Sequence, residues 1–261
     1  MSEPAEPYVP STPSASAAWR LLPSGASPWG VIAALAIAAF ASYGARRAMD
    51  ALLTLSLPHG QVWGATGLLL VWGTELAVIV LAVRVTQIPV RDYLGWTRPR
   101  AGDVALGLVV AVALGLLPNL LTLLFIGKPL NPSQIADYRE QIAAGWSNLR
   151  IVLNWWPAIL LAPLVEETVF RGFLWRSIAA SRLGNIGALL LTAVLFSAIH
   201  YNQTIMSDGS FNAWPLIEHF IDGLALGALR WRSGTTTITI VMHVWMNLWT
   251  SVAVIVLLPL T

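Results

Sequence analysis

At 261 residues the chain is 56% hydrophobic and only 11% charged, with a formal net charge of +2 and a mean hydropathy of +0.68. A soluble domain carries about 25% charged residues, so this chain could not cover a water-facing surface, and lipid is its predicted solvent. There is no cysteine, which excludes disulfides, a thiolate nucleophile, cysteine-bound zinc and lipid attachment through cysteine; the basic residues are scattered among loops and form no patch for nucleic acid.

Residues 1–28 are rich in Pro, Ser and Ala and lack the basic start and adjoining apolar core of a secretory signal, so they read as a disordered N-terminal tail. Residues 29–261 then form a single domain. Apolar runs follow at 29–45, 63–83, 104–126, 155–175, 183–201, 214–229 and 236–258, each near the length of about 20 residues that crosses hydrocarbon. The predicted fold is all-α, a polytopic transmembrane helix bundle of about seven to eight spans.

Tryptophans 29, 63, 96, 146, 155, 156, 175, 214 and 231 fall near predicted helix ends, as an interfacial aromatic belt requires. With Arg46, Arg47, Lys128, Arg139 and Arg150 on one side of the bilayer, the larger remainder of the basic residues lies on the other. That asymmetry places the N-terminus in the cytoplasm; the expected localisation is the cell (inner) membrane, as a multi-pass protein. Between the third and fourth runs, Asn131, Pro132 and Gly145 delimit a short polar helix placed as a lid over a site. Gly223 and Gly227 form a small-xxx-small pair that marks a close helix contact, as Gly60, Gly64 and Gly67 nearly do around the second run.

Ionisable groups inside oily helices are costly, so those present are candidates for chemistry. Glu167 and Arg171 are four apart with the acid first, the order that favours an ion pair on one helix face. Glu166 lies about 100° around from Glu167 and points toward another helix, where its carboxylate could act as a general base. His200 follows Phe196 by four near the end of its run, and His243 and Asn247 share one stripe of the last helix, two donors for a developing oxyanion. His219 and Asp222 are weaker candidates three residues apart, and Glu75 and Asn119 read as contacts within the bundle.

The segments EETVFR at 166–171, FSAIH at 196–200 and HVWMN at 243–247 resemble, in order and spacing, the EExxxR, FxxxH and HxxxN boxes of one family. This is the CAAX protease and bacteriocin-processing (CPBP) family, also called ABI or type II CAAX prenyl endopeptidase-like proteins. The resemblance covers about residues 150–250, the expected catalytic core. It implies an intramembrane endopeptidase in which Glu166 and His200 activate a water while His243 and Asn247 stabilise the oxyanion. Glu167, Arg171 and Phe196 support that geometry. The family also carries a metalloprotease label, for which Glu166, His200 and His243 are the set that could bind zinc; the preferred reading needs no cofactor, because no HExxH is present and His243 is used as a donor.

The expected partners are a membrane-associated or lipid-linked peptide or protein substrate, of CAAX or bacteriocin and signal-peptide type, and the bilayer itself. Nothing in the sequence sets an oligomeric state. A transporter using the same residues would need polar groups in both halves of the chain, whereas these cluster in the last four runs. A non-catalytic immunity or scaffold protein is the other alternative, and there Glu166 and His200 would be dispensable. On the seven-run map His200 lies about 10 Å from Glu166 in depth. The simpler repair is a fifth helix continuing through His200 to about Met206; the other is a funnel open to one face.

Overall fold

The computed structural model describes residues 27–56, 65–126, 132–205 and 209–257. Within the described residues the chain is helical, with a lone bridge between Ile205 and Phe211. The expected tail, Asn131, Met206, Gly60 and Gly64 lie outside these residues, apart from Ser27 and Pro28, and so does the side chain of Asn119.

Nine helices follow in order among the described residues: α1 Val31–Ser56, α2 Ala65–Arg84, α3 Val90–Leu94, α4 Ala101–Ile126, α5 Pro132–Ala143, α6 Asn148–Ala179, α7 Gly184–Ala198, α8 Trp214–Ser233 and α9 Thr236–Leu257. Each of the seven apolar runs coincides with a long helix. Three of these, α1, α2 and α6, are long and apolar enough to cross a membrane, with Ala101–Gly115 and Gly184–Ala198 as shorter apolar helices. Ile32, Leu55, Leu81, Val109, Ile186 and Val194 are exposed on the outside of the bundle, an apolar surface that fits lipid better than water.

Helix boundaries depart from the hydropathy runs where an amphipathic turn extends an apolar one. α1 does not stop at Arg46 and Arg47 but continues to Ser56, since Met49 and Leu53 pack on Val71 while Arg46 reaches Glu75 at 3.8 Å. Glu75 also accepts from Ser42 Oγ, which confirms it as a contact between α1 and α2. α6 begins at an N-cap, where Ser147 Oγ accepts from the Arg150 N–H, and runs past Trp175 to Ala179. Trp175 is therefore a core residue, 4% exposed, and not a member of an aromatic belt.

α6 lies at the centre of the core. Phe170, Phe173, Leu174 and Ile178 are buried on it, against Ile79 and Val83 of α2, Leu94 of α3, Leu226 of α8 and Met242 of α9. α7 and α8 approach closely at Gly223, where an added Cβ would lie 2.9 Å from the Ala193 Cα, and at Gly227, where it would lie 2.7 Å from Leu189. Absence of a side chain lets the two backbones meet, as the spacing of these glycines predicts. The polar α5 forms where expected and ends before Gly145 at φ +79°; its Tyr138 packs with Ile151 of α6 and Val254 of α9.

The start of α9 is fixed by residues far away in sequence. α3 ends at Gly95 with φ +68°, and the turned chain offers its carbonyls to α9: Gly95 O accepts from Thr236 N at 2.8 Å and Thr235 Oγ1 at 3.0 Å. Leu94 O accepts from Thr236 Oγ1 at 2.6 Å.

Candidate active site

Two turns of α6 are wound as π-helix, Pro157–Leu161 and Thr168–Leu174, and the two glutamates lie between them. Such widened turns are rare and recur at functional sites. Hydropathy carries no trace of them, but two prolines six residues apart inside one apolar run, Pro157 and Pro163, are a visible signal that the regular ladder is interrupted there.

Glu167 and Arg171 form the expected ion pair, with Nη1 donating to Oε1 at 2.9 Å and both side chains fully buried. Nη2 of Arg171 donates to Gly223 O on α8 at 2.9 Å, and the guanidinium carbon lies 4.6 Å from the centre of the Phe196 ring. Arg171 thereby joins α6, α7 and α8. Burial of this charge is tolerated because a carboxylate, a carbonyl and an aromatic face replace water around it.

His243 of α9 closes the network. Its Nδ1 lies 3.1 Å from Glu167 Oε1, and a carboxylate only accepts, so Nδ1 carries a proton. The other ring nitrogen faces Glu166, with Nε2 4.0 Å from Oε2. Glu166 thus points toward another helix as expected, and its side chain keeps 19% exposure where Glu167 has none.

The Phe196 ring lies between the imidazoles, 5.0 Å from His200, 5.5 Å from His243 and 6.1 Å from His219. His200 Nδ1 donates to Phe196 O at 2.8 Å, which leaves Nε2 as the nitrogen free to meet another group. His219 stacks on His200 at 3.8 Å between centroids, tilted by 26°, and its Nε2 pairs with Gln203 Oε1 at 3.0 Å. Sequence reasoning ranked His219 low and missed Gln203, because the two meet only through the loop between α7 and α8.

The expected continuation of the fifth helix through His200 is not found. α7 ends at Ala198, and a single 3-10 turn, Tyr201–Thr204, follows. The physical reason lies in the partners: Ser197 Oγ donates to Leu216 O and Asn212 N to Thr204 O, so the chain turns back toward α8 instead of extending. Among the described residues no hydrogen bond or ion pair joins His200 to Glu166; Phe196 lies between His200 and His243, and Glu166 meets His243 directly.

Asn247 lies one turn beyond His243, and its Nδ2 donates to Ala158 O in the first π turn at 2.9 Å. Among the described residues no three His, Asp or Glu side chains are grouped as a metal ion would need, and Glu166, His200 and His243 are no exception. This arrangement does not fit the zinc possibility.

Residues 148–249 match the family described as Type II CAAX prenyl endopeptidase Rce1-like, a stretch from the start of α6 into α9 that holds every residue of the network above. No curated protein and no solved structure matches the chain. The match agrees with the family resemblance of the three boxes: over residues 148–249 the chain is similar to the type II CAAX prenyl endopeptidase Rce1-like family, which supports a CAAX-type intramembrane protease at family level.

Proposed function

We propose that the chain hydrolyses a peptide bond of a membrane-associated or lipid-linked peptide, using Glu166 to activate water. The observation that carries this reading is the pairing of Glu166, partly exposed, with Nε2 of His243, while the neighbouring Glu167 is buried and committed to Arg171 and Nδ1 of the same ring. One carboxylate has its charge answered; the other is available. At 4.0 Å, Oε2 and Nε2 are too far apart for a direct hydrogen bond, and a water about 2.8 Å from each would subtend an angle of about 90°.

In the proposed reaction Glu166 accepts a proton from that water as its oxygen attacks the peptide carbonyl carbon. Charge develops on the carbonyl oxygen, and His243 and Asn247 donate to it. Donation from Nε2 requires the doubly protonated ring, for which Glu167 is the counter-charge. The intermediate collapses as the C–N bond breaks, and Glu166 returns its proton to the departing amine. His200, whose Nδ1 is held by Phe196 O, presents Nε2 to the water or amine and orients it.

Substrates of CAAX or of bacteriocin and signal-peptide type both suit a site set among helices that face lipid. The chain would lie in the inner membrane with its N-terminus in the cytoplasm. The test is cleavage of a fluorogenic peptide library by the detergent-purified chain, wild type against Glu166→Gln, with and without chelator. Cleavage that needs Glu166 and survives the chelator is expected; equal cleavage by both proteins would overturn the proposal.

A further inference from the structure

We infer that Asn247 is a positioning residue for the carboxylates of α6, acting through the backbone of the π-wound turn that precedes them. This deepens the proteolytic reading and rests on it. In a π turn each carbonyl accepts from the N–H five residues further on. The turn at Pro157–Leu161 keeps that register, since the Ala162 N–H donates to Pro157 O. The next bond in register would join Ala158 O to residue 163, which is proline and has no N–H.

Ala158 O therefore lacks the donor that its register assigns; Ala158 lies exposed on the outside of the bundle, where surrounding hydrocarbon would offer no replacement donor and an unmet carbonyl is costly. Nδ2 of Asn247, on a different helix, supplies the bond at 2.9 Å. The second π turn is also bonded from outside, although its +5 residue, Arg176, has an N–H of its own. Arg171 O within Thr168–Leu174 accepts from Arg230 Nε on α8 at 2.9 Å and from Thr236 Oγ1 on α9 at 3.2 Å. Both widened turns that flank Glu166 and Glu167 are thus fastened by side chains from outside α6.

The consequence is directional. Winding sets the angle at which each side chain leaves a helix, about 100° per residue in an α-helix, and Glu166 follows Pro163 by three residues. Returning the turn to α register would swing Glu166 around the helix and away from His243. An amide has two N–H groups, so the bond to Ala158 also orients the second toward a substrate oxygen. His243 and Asn247, four apart on α9, then hold the site together at two levels, one on the carboxylates and one on the backbone beneath them.

The test restores the missing donor. Pro163→Ala supplies an N–H at position 163, so it should rescue loss of Asn247 if that loss acts through Ala158. Full-length wild type, N247A, P163A and the double variant are compared in detergent for unfolding midpoint and for kcat and KM on a cleaved peptide.

N247A is expected to lower kcat about 100-fold, with KM little changed, and to lower the midpoint. P163A alone stays close to wild type, and the double variant recovers about tenfold in kcat, the worth of one hydrogen bond, together with most of the midpoint. A double variant identical to N247A in both readouts would overturn the inference and leave Asn247 as a donor to substrate alone. Cleavage unaffected by E166Q would instead remove the Glu166-based mechanism, and the midpoints of N247A and the double variant would still decide the positioning role.

Discussion

Glu167 and His243 lie 3.1 Å apart across the interface between α6 and α9, and the proton between them points one face of the imidazole at Glu166. A ring that is free to flip would offer either nitrogen to Glu166; this one offers Nε2. Adjacent glutamates therefore have different surroundings, set by which side of α6 each occupies.

Replacing Glu166 by Gln keeps size and hydrogen bonding and removes the base. Activity should fall about 10²–10⁴-fold, the range for loss of a general acid or base, while the unfolding midpoint stays near wild type because the side chain is partly exposed. Peptide turnover and thermal unfolding in detergent check both halves. A variant that retains more than a tenth of wild-type turnover would remove Glu166 from the role of base.

Arg171→Ala should be far more damaging to the fold. It leaves Glu167 charged and buried, and loss of one partner of a buried pair costs about 3–5 kcal/mol. Lys at this position restores the charge but not the fork that reaches both Glu167 and Gly223, so only part of the stability returns. The yield of folded protein and the unfolding midpoint measure the order wild type, Lys, Ala. Ala and Lys variants of equal stability would contradict the ion pair as described.

Phe196→Ala opens a cavity where Arg171, His200, His219 and His243 meet, at a cost of about 3–5 kcal/mol. Phe196→Leu fills most of that volume and should fold well. Turnover is nonetheless expected to drop about tenfold in the Leu variant, since one misdirected group is enough to raise the barrier by that amount. Unchanged kcat in F196L would show that the ring only fills space.

His219→Phe preserves a flat partner for His200 and should keep turnover within about threefold of wild type, whereas His219→Ala frees the His200 ring and lowers kcat with little change in KM. Steady-state kinetics on the two variants decides this. Equal loss in both would assign the effect to the bond with Gln203 instead of the stack.

Gly223→Ala and Gly102→Ala are opposite in expected sign. The first places a methyl 2.9 Å from the Ala193 Cα and must separate α7 from α8, a loss of about 1–3 kcal/mol. The second meets nothing within 4 Å on a helix, so it should gain about 0.5–1 kcal/mol. Thermal midpoints of the two proteins, measured side by side, check the pair.

Much of this was legible in the sequence because the relevant signals were local. Hydropathy located the helices, the four-residue spacing found the Glu167 and Arg171 pair, and Gly223 with Gly227 marked the closest helix contact. What was misread depended on contacts between distant segments. Trp175 looks interfacial until the helix is seen to continue past it, and the path after His200 is set by Ser197 and Asn212 bonding across to the following segment. The π register at Pro157–Leu161 was hidden because its stabilising donor, Asn247, is on another helix.

The carbonyls of Leu94 and Gly95 that cap the opening of α9 come from a segment more than fifty residues upstream of the family match, which starts at 148. A fragment trimmed to the matched stretch would lose the carbonyls of residues 94, 95 and 97 that Thr235 and Thr236 bond, leaving the Thr236 hydroxyl with Arg171 O alone. Engineered minimal versions of this protein should therefore keep the upstream segment Tyr93–Trp96, the end of α3 and the turn that follows it.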